Sequence, residues 1–189
     1  MKILLASGSF LKNYIMEKSH LNYEVIPADI DESIYDHQSV NTRVVSLAED
    51  KCKRVAETHP NNIIIAADTL TTNKSGTVFS KPKPDSNPLD AAMQLSGQQI
   101  YVYTGCCVYI PGRGYQSKLS VGEVQYQIFD RKTLERVAEN DNPQIRSGAL
   151  GVFVDAPGFT LIESVRGSYT GMYGLPMEFI YKQLDSFSE

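Results

Sequence analysis

The chain has 189 residues, of which 42% are hydrophobic and 21% are charged, and its formal net charge is −4. That length suffices for one domain with a sizeable core or for two closely packed lobes, in a composition ordinary for a soluble globular protein. The negative charge argues against binding to a nucleic-acid polymer, which needs a basic face. A nucleotide substrate stays compatible, because a few local cations suffice for one triphosphate.

The three cysteines, Cys52, Cys106 and Cys107, have no CxxC spacing. This pattern predicts neither a disulfide framework nor a zinc knuckle and favours a reducing compartment. The apolar run from Ile3 to Ala6 is too short for a signal peptide, and no stretch reaches the length of a membrane span. We therefore expect a cytoplasmic protein with no membrane association.

The first predicted strand, Lys2 to Ala6, leads into the turn Ser7-Gly8-Ser9 and a helix from Phe10 to about Lys18. Free N–H groups point outward at such a helix N-terminus, which makes it a general anion site, although many such turns only reverse the chain. Lys12 lies in the first helical turn, where a cation opposes the helix dipole. That unfavourable placement favours a ligand role for Lys12.

A second predicted strand, Tyr23 to Ala28, ends in the acidic cluster Asp29-Ile30-Asp31-Glu32. One interpretation is a solvated turn in which Asp31 or Ser33 caps the next segment. The other is a site for a hard cation, because Mg²⁺ and Mn²⁺ prefer carboxylate ligands. The residues alone leave both interpretations open.

The next predicted helix, from about Thr42 to Glu57, has one continuous apolar stripe at a helical period. The stripe consists of Val44, Val45, Leu47, Ala48, Cys52, Val55 and Ala56. Lys51 projects inside this stripe. Its ammonium either extends out to solvent or meets a buried anion, because an unpaired buried ammonium is costly.

The unbroken run Ile63 to Ala67 predicts a strand that is buried on both faces and ends in Asp68. Ligand sites of α/β sheets gather at the carboxyl ends of their strands, so Asp68 is a candidate for chemistry. The alternative is that Asp68 merely caps a turn. The chain then turns through Asn73 to Gly76 and returns towards Lys81, a hairpin that would bring Lys81 back beside Asp68.

The rest of the chain predicts a mixed sheet, because the period-two pattern from Gln98 to Asp130 indicates a long antiparallel hairpin. Its returning strand is expected from Val121 to Phe129. The other predicted segments are an extended Lys81 to Pro84, helices from Pro88 to Leu95 and Thr133 to Glu139, a glycine-rich Ser147 to Gly158, a strand from Leu161 to Val165, a flexible connection from Gly167 to Gly174 and a last helix from Pro176. Without repeats or linkers, residues 1–189 are expected to form one domain.

Together these residues resemble the Maf family, septum-formation-inhibitor-like nucleoside triphosphate pyrophosphatases, and the chain looks like a divergent member of it. The resemblance spans nearly the whole chain. Its specificity comes from the joint order and spacing of its motifs. The motifs are Leu5-Ala6-Ser7-Gly8-Ser9, Asp29-Ile30-Asp31-Glu32, Ala48-Glu49-Asp50-Lys51, Ala67-Asp68-Thr69, Lys81-Pro82, Leu95-Ser96-Gly97, Tyr103-Thr104-Gly105, Ser147-Gly148-Ala149, Gly167-Ser168 and Gly174-Leu175-Pro176.

The resemblance implies an elongated α/β fold related to the inosine triphosphate pyrophosphatases, with a mixed β-sheet flanked by helices and a deep cleft between two lobes. It implies a homodimeric hydrolase of nucleotide metabolism that acts on acid anhydrides. With Mg²⁺ or Mn²⁺, such an enzyme converts a nucleoside triphosphate, which can be non-standard, to the monophosphate and pyrophosphate. The better-known branch of the family prefers dTTP and UTP, and a second branch prefers 7-methyl-GTP.

Carried over by motif, the resemblance implies that Glu32 and Asp68 hold the metal ion and that Asp68 also orients or deprotonates water. Lys51 and Lys81 then act as cations on the triphosphate. The further substrate-binding residues it implies are Ser7, Gly8, Ser9, Lys12, Thr69 and Asp155.

The chain departs from the family pattern at two places, which bear on efficiency and on nucleotide preference. The family's first motif continues with proline and two arginines, whereas this chain has Phe10-Leu11-Lys12, and a lysine lacks arginine's bidentate geometry. Asp155 stands where the better-known branch has glutamine. Arg146 and Arg166 are candidates to replace the missing guanidinium. The alternatives to an active enzyme are a nucleotide-binding regulator or sensor with little turnover and a silent interaction protein.

Overall fold

The computed structural model describes residues 1–79, 87–139 and 160–185. Within these residues the chain has a mixed α/β fold with a seven-stranded sheet flanked by six α-helices. The strands are β1 Ile3–Leu5, β2 Tyr23–Val25, β3 Ile63–Asn73, β4 Val78–Phe79, β5 Gln99–Ile110, β6 Gly114–Tyr126 and β7 Ile162–Arg166. The helices are α1 Phe10–Lys18, α2 Val40–Thr58, α3 Pro88–Met93, α4 Arg131–Glu139, α5 Tyr169–Met172 and α6 Met177–Asp185, and a 3-10 helix spans Glu32–Tyr35.

The strand order β2-β1-β3-β5-β6-β7, with β4 beside β3, confirms the predicted mixed sheet. Strand β1 lies parallel to both β2 and β3, whereas β4 is antiparallel to β3 and β7 is antiparallel to β6. The parallel strands are connected through α1 and α2, as expected because a parallel pair needs a crossover connection. The sequence therefore predicted the class of fold correctly.

Asp68 lies inside β3, so the prediction that the strand ends at this residue is wrong. The strand continues because it changes partners along its length. Its first part pairs with β1 as far as Leu5 and Ile65, and Thr71 and Thr72 pair with β4. Asp68 therefore lies just beyond the last parallel pair, a position equivalent to the carboxyl end of the parallel part of the sheet.

Helix α2 confirms the predicted amphipathic helix and begins two residues earlier than expected, at Val40. Ser39 caps it by accepting a hydrogen bond from the backbone N–H of Thr42 at 3.4 Å. Its buried face consists of Val44, Leu47, Ala48, Lys51, Cys52, Val55 and Ala56. Cys52 packs with Cys107 of β5 in the core, and all three cysteines are buried and free, which agrees with the predicted lack of a disulfide framework.

Two further predictions need correction. Strand β6 begins at Gly114 and not at Val121, because its exposed first half carries polar residues that hide the strand pattern. The expected flexible connection contains the short helix α5, which Ser168 caps by accepting from the N–H of Gly171 at 2.9 Å. The predicted extended segment Lys81 to Pro84 and the glycine-rich stretch Ser147 to Gly158 lie outside the described residues.

The chain divides into two compact units. The first contains Met1–Thr69, Tyr103–Val121 and Ser168–Glu189, and the second contains Leu70–Val102 and Gly122–Gly167. The interpretation of residues 1–189 as one domain stays a prediction. Over the ranges that the structure describes, none of the helices has both the length and the apolar character that crossing a membrane requires.

Candidate functional site

Three charged residues from separate elements of the first unit meet at one point. The Lys51 Nζ of α2 lies 2.6 Å from Glu32 Oε1 in the 3-10 helix and 2.9 Å from Asp68 Oδ1 in β3. The side chains of Lys51 and Asp68 are 11% and 13% exposed, whereas that of Glu32 is 51% exposed. The group therefore has a buried side towards the sheet and an open side at Glu32, where a ligand has access.

Two neighbouring residues of the acidic cluster, Asp31 and Glu32, make different contacts. Asp31 accepts hydrogen bonds from the backbone N–H of Ser33 at 3.0 Å and from its hydroxyl at 2.7 Å. These bonds cap the 3-10 helix and lower the pKa of Asp31. Capping by Asp31, one of the two interpretations of this cluster, is thus confirmed, and the cap fixes the backbone from which Glu32 reaches Lys51.

Lys51 meets carboxylates instead of extending to solvent, which decides between the two alternatives that its place in the stripe left open. Burial lowers the pKa of this ammonium, but the charges of Asp68 and Glu32 and their hydrogen bonds outweigh burial and raise it overall. The lysine is therefore held as a cation beside two carboxylates. Such a group offers positive and negative charge to a ligand within a few ångströms.

The carboxylate pair also bears on the predicted metal ion. No group of three or more histidine, cysteine or acidic side chains suited to a metal occurs in residues 1–79, 87–139 and 160–185. Glu32 and Asp68 reach the same ammonium, so their hard oxygen donors converge. Mg²⁺ is commonly held by one or two carboxylates, with water and substrate phosphates completing its shell. The donor set therefore fits an ion that is bound together with a triphosphate.

The turn before α1 is ordered partly by its own side chains. The backbone N–H of Ser9 donates to the Ser7 Oγ at 3.2 Å, and the hydroxyl of Ser9 makes no cap bond to α1. A Cβ on Gly8 would lie 3.7 Å from Pro27 Cγ, an ordinary contact, so space alone does not require glycine there. One of the predicted anion donors, the Ser9 N–H, is thus directed at Ser7.

A second group of polar atoms lies around Gly174, whose backbone has a φ of +95°. A Cβ at this position would lie 2.9 Å from the Thr69 Oγ1 and 3.2 Å from the Lys12 Nζ. The absence of a side chain therefore lets the backbone approach both groups closely. Lys12 is buried at this place and Thr69 is half-buried, so two of the predicted substrate-binding residues are brought together.

Thr69 is also hydrogen-bonded to residues for which the sequence suggested no role. Its Oγ1 lies 3.0 Å from the Thr104 Oγ1, which in turn donates to the Gly171 carbonyl oxygen at 2.8 Å. Thr104 and Gly174 stand in motifs of the family resemblance, which was the available signal. Gly171 lies in the stretch expected to be a flexible connection, where no pattern indicated a fixed carbonyl.

Two of the predicted site residues, Lys81 and Asp155, lie outside the described residues, as does Arg146. Arg166, the other candidate for the missing guanidinium, lies in β7 of the second unit, where it is paired with Glu123 of β6. The structure therefore describes eight of the ten predicted site residues, in two groups and one turn. The groups are Glu32, Lys51 and Asp68, and Lys12 and Thr69, and the turn is Ser7, Gly8 and Ser9.

Comparison with known proteins gives one family and several similar sequences. The sequence model of the family described as Maf-like protein matches residues 2–187. A dTTP/UTP pyrophosphatase of Bacillus mycoides (strain KBAB4) is 27% identical over 186 residues, which are 98% of this chain and 95% of that protein. A dTTP/UTP pyrophosphatase of Bacillus cereus (strain AH820) is 26% identical over 187 residues, 99% and 96% of the two chains. A solved HAM1 protein from Coxiella burnetii is 14% identical, with a TM-score of 0.45, over 85% of this chain and 96% of that one.

Proposed function

The chain belongs to the family of Maf-like proteins, and from this membership we propose that it is a nucleoside triphosphate pyrophosphatase. It would hydrolyse a nucleoside triphosphate to the monophosphate and pyrophosphate, as a hydrolase acting on an acid anhydride. The similar proteins named dTTP/UTP pyrophosphatase support this proposal and make dTTP and UTP the first substrates to test. A non-standard nucleotide or 7-methyl-GTP remains an alternative substrate.

The observation that carries the proposal is the contact of Lys51 with both Asp68 and Glu32. Hydrolysis between the α- and β-phosphates needs a water that attacks the α-phosphorus and a group that takes its proton. It also needs positive charge beside the phosphoryl oxygens, where negative charge builds up in the transition state. A carboxylate beside a positively charged ammonium supplies both requirements.

We assign Asp68 as the general base and Lys51 as the cation on the phosphoryl oxygens. Asp68 would accept the proton of the attacking water, while the bond from the α-phosphorus to the bridging oxygen breaks and pyrophosphate leaves with the electron pair. Lys51, when it turns from Glu32 towards the substrate, would donate charge-assisted hydrogen bonds, which are worth about 1.5–3 kcal/mol each. The half-exposed Glu32 allows this exchange of partners.

Glu32 and Asp68 are also the residues that would hold Mg²⁺ or Mn²⁺. When bound, such an ion supplies further neutralisation of charge on the phosphoryl oxygens. The single Lys51 ammonium offsets only one of the two carboxylates, so the pair would repel the substrate's triphosphate until a divalent cation is bound, since like charges repel. This makes activity strictly dependent on added divalent metal.

The remaining predicted residues belong to the proposed substrate contacts. Lys12 and Thr69 would meet the ligand beside Gly174, and the turn Ser7-Gly8-Ser9 would donate N–H and hydroxyl groups. We keep the predicted role of Lys81 as a cation on the triphosphate and that of Asp155 as a substrate-binding residue. We also propose that the protein is a homodimer and that it acts in the cytoplasm.

The experiment that tests the proposal is a screen of standard and modified nucleoside triphosphates with Mg²⁺ or Mn²⁺. Pyrophosphate and orthophosphate are measured separately, together with the nucleotide product. The expected result is release of pyrophosphate and a monophosphate, abolished by a chelator. Release of orthophosphate and a diphosphate would contradict the proposal, because it means attack at the γ-phosphorus.

The substitution Asp68→Asn is expected to reduce pyrophosphate release at least about a hundredfold, because a neutral amide cannot take the proton. The fold should persist, since Asn has nearly the same shape and Lys51 keeps its contact with Glu32. Thermal unfolding checks the fold, and Asp185→Asn, an exposed change at the end of α6, is the matched control. Turnover of Asp68→Asn near that of the unchanged protein would contradict the assignment.

A second candidate function is a nucleotide-binding regulator or sensor with little turnover. The specific observation in its favour is Phe10-Leu11-Lys12, where the family motif has proline and two arginines. Lys12 supplies one point charge without bidentate geometry. Tight nucleotide binding by calorimetry, with no pyrophosphate released from any nucleotide in the screen, would favour this function.

A further inference from the structure

We infer that Tyr35 is a positioning residue for the metal site. Through its hydrogen bond to Asp50 it holds the 3-10 helix against α2, so that Glu32 stays in place to bind the ion. The inference rests on the proposed function and deepens it, because it concerns the metal site of that function. It follows from the contacts that join the 3-10 helix to α2 in the first unit, and from which of them persist when substrate binds.

The two ends of the 3-10 helix contact neighbouring residues of α2. At the first residue of the 3-10 helix, Glu32 Oε1 lies 2.6 Å from the Lys51 Nζ. At its last residue, the Tyr35 hydroxyl donates to Asp50 Oδ2. Because Asp50 and Lys51 are consecutive in α2, a movement of the 3-10 helix away from α2 would break the Tyr35 contact and displace Glu32 as well.

The contact at Glu32 is the one that the proposed reaction breaks. Lys51 turns from Glu32 towards the phosphoryl oxygens, so it cannot hold Glu32 at that moment. The Glu32 side chain is 51% exposed, and packing therefore restrains it little. A metal ion would then have to order both the carboxylate and the backbone that carries it, at a cost in conformational entropy.

The contact at Tyr35 involves none of the groups that react. Tyr35 is 7% exposed, so the packed interior restrains its ring. Its acceptor is also held on the other oxygen, because the Lys53 Nζ donates to Asp50 Oδ1 at 3.0 Å. A hydroxyl that donates to a carboxylate makes a charge-assisted bond, which is stronger than a neutral one. The Tyr35 contact therefore keeps the 3-10 helix on α2 after Lys51 has left Glu32.

Two other polar contacts of the same segment do not have this role. The bonds from Ser33 to Asp31 cap the 3-10 helix from within and do not attach it to α2. Asp36, the next residue after the 3-10 helix, forms an ion pair with Arg43, about two turns before Asp50 in α2. The Asp36 side chain is 63% exposed, and ion pairs on the surface contribute little. Asp36→Asn is therefore a matched control on the same segment.

The test measures binding of Mn²⁺ alone to the full-length protein, from the loss of the free Mn²⁺ signal in electron paramagnetic resonance. Tyr35→Phe keeps the ring and removes the hydroxyl. It should weaken Mn²⁺ binding roughly three- to tenfold, at most about the value of one hydrogen bond. With dTTP or UTP as substrate, the Mn²⁺ concentration for half-maximal rate should rise by a similar factor. At saturating Mn²⁺, kcat should change less than about twofold, because Tyr35 contacts no reacting atom.

A second background separates positioning from general damage to the fold. Asp50→Ala removes the acceptor of the Tyr35 hydroxyl, so Tyr35→Phe should have no further effect on Mn²⁺ binding in that background. Asp36→Asn, which removes the exposed ion pair on the same segment, should leave Mn²⁺ binding unchanged. Thermal unfolding confirms that each variant is folded at the temperature of the measurement.

The inference is overturned if folded Tyr35→Phe binds Mn²⁺ as tightly as the unchanged protein, or if Asp36→Asn weakens binding equally. It is also overturned if Tyr35→Phe has the same effect with and without Asp50, or if the unchanged protein binds no Mn²⁺. Failure of the proposed function has a different result. Mn²⁺ then binds and Tyr35→Phe weakens that binding, but no nucleotide in the screen releases pyrophosphate.

Discussion

At the scale of single residues, Lys51 joins the two carboxylates of the candidate site. Without its ammonium, Glu32 and Asp68 would repel each other, and Asp68, at 13% exposed, would keep a poorly solvated charge. Removing one partner of a buried ion pair lowers the stability of the protein by more than the intact pair contributes, because the remaining charge is left without compensation. Lys51 is therefore expected to matter for both stability and catalysis.

We expect Lys51→Met to lower the free energy of unfolding by about 1–3 kcal/mol, less than for a fully buried pair because Glu32 is half-exposed. Pyrophosphate release should fall at least about a hundredfold with the loss of the cation. Urea denaturation and the pyrophosphate assay measure the two effects. Lys51→Arg, which keeps the charge, should retain most of the stability, and equal losses in both variants would show that shape rather than charge is responsible.

Tyr35 and Asp50 form another residue-scale contact, and their hydrogen bond also contributes to stability. The Tyr35 hydroxyl donates to the Asp50 carboxylate, which lowers the pKa of Asp50 and raises the pKa of Tyr35 to about 12. An acid whose pKa is lowered by folding stabilises the fold above its unfolded pKa. That contribution disappears as the pH falls through the folded value.

Tyr35→Phe is therefore expected to cost about 1 kcal/mol of unfolding free energy at pH 7, discounted for the partly exposed Asp50. The difference between this variant and the unchanged protein should shrink as the pH falls from the unfolded pKa of about 4 through the lowered folded pKa of Asp50, below which Asp50 is protonated in both states. Urea denaturation at pH 7 and pH 3 measures it. A difference that does not change with pH would contradict the charge-assisted bond.

At the scale of elements, the first unit depends on the close approach of α2 to β5. A Cβ on Gly105 would lie 2.0 Å from the Val44 carbonyl oxygen and 2.5 Å from the Val45 backbone nitrogen. Both contacts are with backbone, so no side-chain rotation relieves them. Gly105 thus determines how close α2, and with it Lys51, lies to the sheet.

Gly105→Ala should destabilise the protein by about 3 kcal/mol or more, at the upper end of the range for overpacked substitutions. The cost is high because the backbone of α2 must move. The reduced contact of Lys51 with Asp68 should also lower activity in the fraction that stays folded. Gly8→Ala is the control for stability, since its Cβ would make only an ordinary contact at 3.7 Å. Equal unfolding free energies for the two variants, measured in urea, would contradict the role of Gly105.

At the scale of the whole molecule, the family resemblance predicts a homodimer. Light scattering coupled to size-exclusion chromatography should then give a mass twice that of the 21.0 kDa chain. The mass should persist when the protein is diluted to low micromolar concentration, as for an obligate dimer. A mass of one chain at every concentration would contradict the prediction.

Local pattern in the sequence was enough to predict most elements and the place of Lys51 within the apolar stripe of α2. Helical period, caps and turn residues act over a few positions, so α1 was predicted with its observed bounds and α2 within two residues. The strand end at Asp68 was misplaced because the continuation of β3 depends on pairing with β4, a partner that periodicity cannot reveal. Helix α5 was missed because its four residues give too little periodic signal. Its start is set by the capping hydrogen bond to the Ser168 side chain.

Residue pattern along the chain was thus sufficient for the α/β class, the family motifs and the cation within the apolar stripe of α2. The contact of this cation with Asp68 and Glu32 depends on the folded structure, because residues 17 and 19 positions away in the chain come together through the sheet and a capped 3-10 helix. The link from Thr69 through Thr104 to Gly171 depends on the folded structure in the same way. Hydrogen-bond partners depend on which groups meet in space, and chain order does not contain that information.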